Sequence, residues 1–376
     1  MTYDVAHLTI LHEIDDNRIF HKEVQSLRKL YKVLLVAPES NIEISDSISF
    51  KKRRGIKRAL AHIDILRLAY KSKAQIIHYH DPELFFVAGI LKLCQRTIIF
   101  DSHEDVPQDM LNKPYLNSLL RIVFYTALIG ITKIIGLWFD AIICATEEIA
   151  SRFPAHKTTV VKNFARGSEF SSDTININPL EMEYDFIYVG TISEDRGILQ
   201  ILESLSKIKS NRKIKSIVVG PIHSSSLERK IKEMSKDIDV TFTGSLSRRK
   251  LLSFLSASKI AMVTLHPTST YIESLPVKLF EYMMAGRHII ASNFSKWKSI
   301  AGEIDNIEFV DPLDTDVIAN AMQNGLKITS NEYSANARKS MQFAQANYSW
   351  ESQAAILFEV YRRLNREKNS HSESVR

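Results

Sequence analysis

Short runs rich in Val, Ile and Phe alternate along the chain with longer stretches whose apolar positions recur every three to four residues. The first kind predicts buried strands and the second predicts amphipathic helices. In the first half the strand-like runs fall at 5–10, 32–37, 75–80, 97–101 and 141–145. In the second half they fall at 186–190, 216–220, 240–243, 260–265, 288–292 and 307–310. Helical spacing lies between them at 20–31, 56–73, 198–210, 225–236, 248–256 and 276–285. Strand, helix, strand at this spacing predicts right-handed βαβ units and parallel sheets. The runs number about twice what one open sheet needs, so the expected fold class is α/β with two Rossmann-like domains. The first domain is expected over 1–166 and the second over 184–349. The polar, aperiodic stretch 167–183 reads as a linker, and the polar tail 365–376 reads as frayed. Two such domains facing each other form a cleft at the carboxyl ends of their strands, where open α/β sheets bind ligands.

Composition narrows this picture only a little. With 376 residues, 45% hydrophobic and 24% charged, extensive disorder is excluded. The net charge of +6 suits work near phosphates or an anionic surface. The basic residues are scattered and not interleaved with aromatics, which argues against nucleic acid. Cys94 and Cys144 sit in apolar contexts without a second ligand at metal spacing, so they read as buried thiols in a reducing compartment. The first residues lack the basic and apolar regions of a signal peptide, and a cytoplasmic location is expected. One stretch tests that expectation: residues 119–145 hold a charge-free run of eleven residues, 122–132. That is short of the ~20 needed to span a bilayer. It reads as a buried helix running into a strand, with a helix lying on the membrane face as the alternative.

The strand ends carry the candidate chemistry. Glu273 and Glu281 are separated by seven residues, with Leu275, Pro276 and Val277 between them and a helix start near Val277. Free backbone N–H groups at such a start suit phosphate or a sugar hydroxyl, and carboxylates grip hydroxyls. After the first strand of the second half comes Tyr-Val-Gly-Thr-Ile-Ser-Glu-Asp-Arg-Gly, residues 188–197. Strand, glycine, loop, basic residue and glycine before a helix form a phosphate-binding arrangement. After the fourth strand of the first half lies Asp-Ser-His-Glu-Asp-Val-Pro, residues 101–107, where His103 and Glu104 suit proton transfer or hydroxyl orientation. Asp314 and Asp316 read as a helix cap. The basic run 51–58 reads as a solvated face, or as a contact for anionic lipid.

The segment 273–292, with its Glu-x7-Glu spacing and Phe-Glu-Tyr-Met-x-Ala-Gly run, resembles the signature of retaining GT-B glycosyltransferases of family 4. The loop 190–197 resembles that family's Gly-Arg-x-x-x-x-Lys-Gly loop, with Thr191 standing where the first basic residue usually is. His-Asp-Pro-Glu-Leu at 80–84 and the 101–107 run resemble a bacterial surface-polysaccharide subgroup. The resemblance spans roughly residues 10–364 and implies a GT-B fold whose C-terminal helix, about 350–366, packs back on the first domain. It implies that Glu281 holds the nucleotide ribose and that Glu273 and His103 lie by the donor sugar. The amides of Leu275, Pro276 and Val277 then contact sugar and phosphate, and Thr243 to Leu246 hold the base. Arg196 neutralises the diphosphate beside Gly190 and Thr191, helped by a second cation, Lys278 or Arg18. Arg18, His80, Asp81 and Glu104 fall on the acceptor side.

The implied activity is transfer from a nucleotide-diphosphate sugar to a saccharide or lipid-diphosphate-linked acceptor. Retention, no metal and no further cofactor are implied, with an anionic membrane surface as a further partner. A nucleotide-sugar 2-epimerase of the same fold is the rival reading. A non-catalytic nucleotide-sugar or membrane-binding protein is the other.

Overall fold

The computed structural model describes residues 2–40, 44–51, 57–103, 106–111, 117–171, 174–301 and 304–374. Most of the basic run (52–56) and Glu104 lie outside the described residues. The chain forms two compact units, residues 1–163 with 350–376, and residues 164–349.

The first unit holds strands β1 (Val5–Leu8), β2 (Val33–Pro38), β3 (Ser47–Phe50), β4 (Ile76–Tyr79), β5 (Thr97–Ser102), β6 (Ala141–Cys144) and β7 (Thr158–Val160). They pair in the order β3-β2-β1-β4-β5-β6-β7, all parallel. The second unit holds β8 (Tyr184–Val189), β9 (Lys215–Val219), β10 (Asp239–Phe242), β11 (Ser258–Val263), β12 (His288–Ser292) and β13 (Ile307–Val310). Their order, β10-β9-β8-β11-β12-β13, is again parallel throughout. Both sheets are doubly wound, and the strand order reverses between β1 and β4 and between β8 and β11. Ligand sites in such sheets form beyond the strand ends at that reversal.

Each sheet is sandwiched by apolar layers, because its strands are buried on both faces. Leu8, Ile77 and Ile98 fill one face of the first sheet, and Val5, Leu35 and Ile99 fill the other. In the second sheet Val189, Ala261 and Ile289 face one layer, and Tyr188, Met262 and Ile290 face the other. The edge strands β3 and β7 escape a hydrophobicity reading because they are short and only half-buried.

Four expectations change. Residues 167–183 are no linker: Phe170 is fully buried and Ile175 and Met182 nearly so, all in the second unit. In place of a frayed tail, residues 365–374 continue a helix, Trp350–Ser374, pinned to the first unit where Trp350 Nε1 donates to Ser26 Oγ (2.9 Å) and Lys368 Nζ to Gln75 Oε1 (2.6 Å). Cys94 is exposed, at the end of the helix Phe85–Leu93, while Cys144 is buried in β6.

The fourth change concerns 119–145. Its helix, Ser118–Trp138, is capped by the Asn117 side chain accepting from Leu120 N (2.8 Å), and buries only Ile135 and Gly136. It is therefore not a core helix. Leu119 (71% exposed), Ile122, Val123, Phe124 and Leu137 (76% exposed) face outward. By length and composition it is the one helix among the described residues able to cross a membrane. The neighbouring helix Phe85–Leu93 adds exposed Phe86, Ile90 and Leu93. The two helices touch at Gly89, where a Cβ would lie 2.9 Å from the Trp138 ring.

Candidate functional site

In the second unit the chain leaves β8 at Gly190, in the left-handed region at φ 132°. A Cβ there would lie 2.9 Å from Lys278 Nζ and 3.5 Å from Arg196 Nη1. Both cations therefore converge on the space over the glycine. Gly197, at φ 77°, closes the turn; a Cβ on it would lie 2.1 Å from the Thr264 carbonyl, so only glycine lets the helix Ile198–Lys207 start this close to the end of β11.

The two cations are placed differently. Arg196 Nε donates to the Tyr271 hydroxyl (3.3 Å), which donates to Asp195 Oδ2 (2.8 Å). Lys278, in the first turn of the helix Val277–Met284, lies 4.8 Å over the Tyr188 ring. Its Nζ is shut off from solvent without a hydrogen-bond partner. Burial, with Arg196 alongside, pushes its pKa down to about 7. An ammonium desolvated next to a guanidinium is poorly placed alone and well placed for an anion. By position, Lys278 stands beside Arg196.

Arg18 does not. It is buried in the first unit, its Nε and Nη2 donating to the Asp101 carboxylate (3.0 and 2.9 Å) and its Nη1 to the Val161 carbonyl (3.0 Å). A guanidinium so buried is already paired with a carboxylate and closed off from solvent.

The second unit also holds the other predicted donor-side residues. Pro276 is the N-cap of the helix Val277–Met284, and Leu275 packs on the core before it. The Thr191 carbonyl accepts from the Tyr188 hydroxyl (2.9 Å). Glu281 is buried, with Oε1 2.7 Å from Arg248 Nη1, and the same guanidinium grips Glu169 and lies 5.8 Å over Phe170. Glu273 is exposed, near Lys296 (3.9 Å). Thr243 Oγ1 donates to the Gly244 carbonyl (3.0 Å), and Leu246 packs on the core.

In the first unit the loops after β1, β4 and β5 meet. Asp81 is nearly fully buried and accepts from Thr9 Oγ1 (2.7 Å), Ile10 N (2.6 Å) and Leu11 N (3.3 Å), which clamps the β1 loop. His80 Nδ1 lies 3.0 Å from Asp101 Oδ2, and His103 Nδ1 3.4 Å from the same oxygen. Burial opposes charge on Asp101, but the Arg18 guanidinium and the two imidazoles hold its carboxyl well below the usual range. His103 Nε2 is 3.2 Å from His12 Nε2, and His12, Asp81 and His103 line one small pocket with Val106. His12 was not singled out in the sequence; a histidine next to an apolar strand end carries no signal of its own.

Metal spacing was absent in the sequence, yet two groups of ligand-type side chains assemble in space: His7, Glu23, His78 and His80, and His80, Asp101 and His103. Glu23 enters the core because residues Ile19–Val24 form a wide turn of i→i+5 type, not the regular helix expected over 20–31.

The fold and these turns define a two-domain, doubly wound class. Across 96% of this chain and 99% of the other, the sucrose-phosphate synthase of Thermosynechococcus elongatus has a TM-score of 0.71 at 17% identity. Anabaena HepE, solved in complex with UDP, has a TM-score of 0.67 at 12% identity over 96% of this chain and all of the other. At these identities the likeness is one of fold, the GT-B fold. Residues 172–341, in the second unit, match the family model described as glycosyl transferases group 1. A curated relative, the lipopolysaccharide 1,2-N-acetylglucosaminetransferase of Salmonella typhimurium, is 26% identical over 223 residues. That match covers 54% of this chain and 56% of the relative, so the chain spans about half the length of the curated relative it matches.

Proposed function

We propose that the protein is a retaining glycosyltransferase that moves a sugar from a nucleotide-diphosphate sugar to a saccharide or lipid-diphosphate-linked acceptor in cell-surface polysaccharide synthesis. The observation that carries this reading is the pair Arg196 and Lys278 over Gly190, two cations converging where a diphosphate belongs. The acceptor hydroxyl forms a bond to the anomeric carbon on the face from which the diphosphate leaves. The bond from that carbon to the phosphate oxygen breaks, and the hydroxyl proton passes to the leaving oxygen. Charge grows on that oxygen in the transition state, and preorganised cations lower the barrier there. In this reading the two side chains take the part that a metal ion plays elsewhere. Glu281 serves the ribose, Glu273 and His103 the donor sugar, and Asp81 the acceptor side. The particular match to a lipopolysaccharide N-acetylglucosaminetransferase supports the polysaccharide setting.

The outward apolar face of Ser118–Trp138 with Phe86, Ile90 and Leu93 supports a peripheral site on the cytoplasmic face of an anionic membrane. The decisive assay supplies a panel of nucleotide-diphosphate sugars with and without a lipid-diphosphate acceptor, in EDTA, and reads the anomeric configuration of the product by NMR. Acceptor-dependent transfer with retention is expected, together with sedimentation on anionic vesicles that is reduced in Ile122→Asp. Acceptor-free conversion of the donor into its C2-epimeric nucleotide sugar would make the protein the epimerase instead.

A further inference from the structure

On the face of the first sheet covered by the helix Trp350–Ser374, three imidazoles and a carboxylate meet with no solvent among them. His7 on β1 stands in register with His78 on β4, and His80 follows two residues on, so it shares the face. Glu23 comes in from the wide turn Ile19–Val24. One ligand atom from each of the four lies within 4.8 Å of all the others, and all four residues are at most 2% exposed.

What distinguishes this cluster from packed core histidines is that its outward atoms are already used. His80 Nδ1 faces the Asp101 carboxylate (3.0 Å), so it carries the proton and leaves Nε2 as a bare lone pair pointing inward. His78 Nδ1 and His7 Nε2 both face the Tyr361 hydroxyl (2.8 and 3.3 Å). A phenol has one proton to give, so at least one of those two imidazoles donates outward as well. Glu23 Oε1 lies at ion-pair distance from Arg18 Nε (3.0 Å), whose proton goes to Asp101, and Oε2 faces His78. The inward atoms are then His7 Nδ1, 3.0 Å from His80 Nε2, and His78 Nε2, 3.9 Å from Glu23 Oε2. Neither His78 Nε2 nor either Glu23 oxygen has a hydrogen-bond partner. A proton shared by His7 and His80 would still leave those atoms orphaned.

His80 Nε2, at least one inward nitrogen of His7 and His78, and the Glu23 carboxylate present lone pairs to one point, with Asp101 and Tyr361 behind the imidazoles, which is the outer-shell pattern of a histidine–carboxylate metal centre. Ligand atoms about 2.1 Å from a tetrahedral ion stand about 3.4 Å apart, between the two measured separations. We propose that His7, His78, His80 and Glu23 bind one divalent first-row transition ion, zinc in the first instance, as a buried structural site that ties β1, β4 and the 19–24 turn together. The site is closed, and no reaction is routed through it. It is independent of the donor site, which lies in the other unit and uses none of these residues.

The test is the metal content of the untagged full chain, expressed with zinc in the medium and measured by elemental mass spectrometry. About one equivalent of metal per chain is expected. Tyr361→Phe keeps the fold and the ligands but removes the oxygen behind two imidazoles, and is expected to weaken zinc binding by 10–100-fold. Glu23→Gln should lower the content to below about one-tenth of an equivalent, while His103→Ala, outside the cluster, should leave it unchanged. Because Glu23→Gln could unfold the unit, wild-type protein stripped in mild denaturant and refolded with Co2+ supplies a second readout, the intense visible bands of a tetrahedral Co2+ site. A chain that is metal-free as purified and takes up neither Zn2+ nor Co2+ on refolding overturns the proposal. So does full metal retention in folded Glu23→Gln.

Discussion

In the first unit, Arg18, Glu23, Asp101 and three imidazoles are packed inside the sheet's covering layer, where Arg18 and His80 face Asp101 and Arg18 pairs with Glu23. In the second, Arg196 and Lys278 converge on the end of β8 with no anion between them. The two sheets share one strand order, so topology does not set this difference. Side-chain length and entry point do. The first unit's charged groups sit on β1, β4, β5 and the 19–24 turn and point into the layer, whereas the second unit's sit beyond the strand ends. An internally balanced cluster contributes to holding its unit together. An unbalanced pair costs its unit stability and returns it only when an anion binds.

The sharpest way to break the comparison is Arg18→Met. It leaves Asp101 and Glu23 buried without their cation, which costs about 3–5 kcal/mol. In urea unfolding, the first unit's transition should shift by that amount while the second unit's stays. An unshifted first transition would mean that the cluster is not internally balanced. Next in size is Lys278→Ala. Losing one charge-assisted contact of about 1.5–3 kcal/mol should weaken nucleoside-diphosphate binding by roughly 10–100-fold. The same change should leave the melting temperature unaltered or raise it, because a desolvated ammonium is removed. Calorimetric titration showing unchanged affinity would remove Lys278 from the donor site.

The same lysine gives a pH signature. Its pKa of about 7 in the free protein is raised when a diphosphate supplies the missing charge, so binding takes up a proton. Affinity should hold level below pH 7 and fall as pH rises beyond it, by at most about tenfold per unit; Lys278→Arg should flatten that slope. The smallest effect is expected from Gly190→Ala. Its left-handed backbone would cost roughly 1–2 kcal/mol, and its methyl would press on the mobile end of Lys278. Affinity should then drop with the fold intact, which circular dichroism and titration together would show.

Much of the fold was legible in the sequence, because buried parallel strands leave continuous β-branched runs and their helices keep a 3.6-residue period. All eleven central runs became strands, and β3 and β7 were missed for being short and half-exposed. The loop 188–197 and the helix start at Val277 were legible because turn glycines and helix starts are local features. Residues 167–183 and 365–376 read as loose because polar composition hides the few apolar anchors, Phe170 and Ile175 in one case and the start of the helix at Trp350 in the other. The helix Ser118–Trp138 misled in the opposite sense, since hydrophobicity records what a segment avoids in water and not what covers it.

Short-range pattern alone sets the two doubly wound sheets, the turn between Gly190 and Gly197 and the helix start at Val277. Only the tertiary structure decided that Arg18 is spent on Asp101 and that Lys278 stands beside Arg196. Only it brought His7, Glu23, His78, His80 and Tyr361 to one point. Those meetings join residues as far apart as 7 and 361, and a contact across separate strands and helices leaves no trace in the spacing along either one.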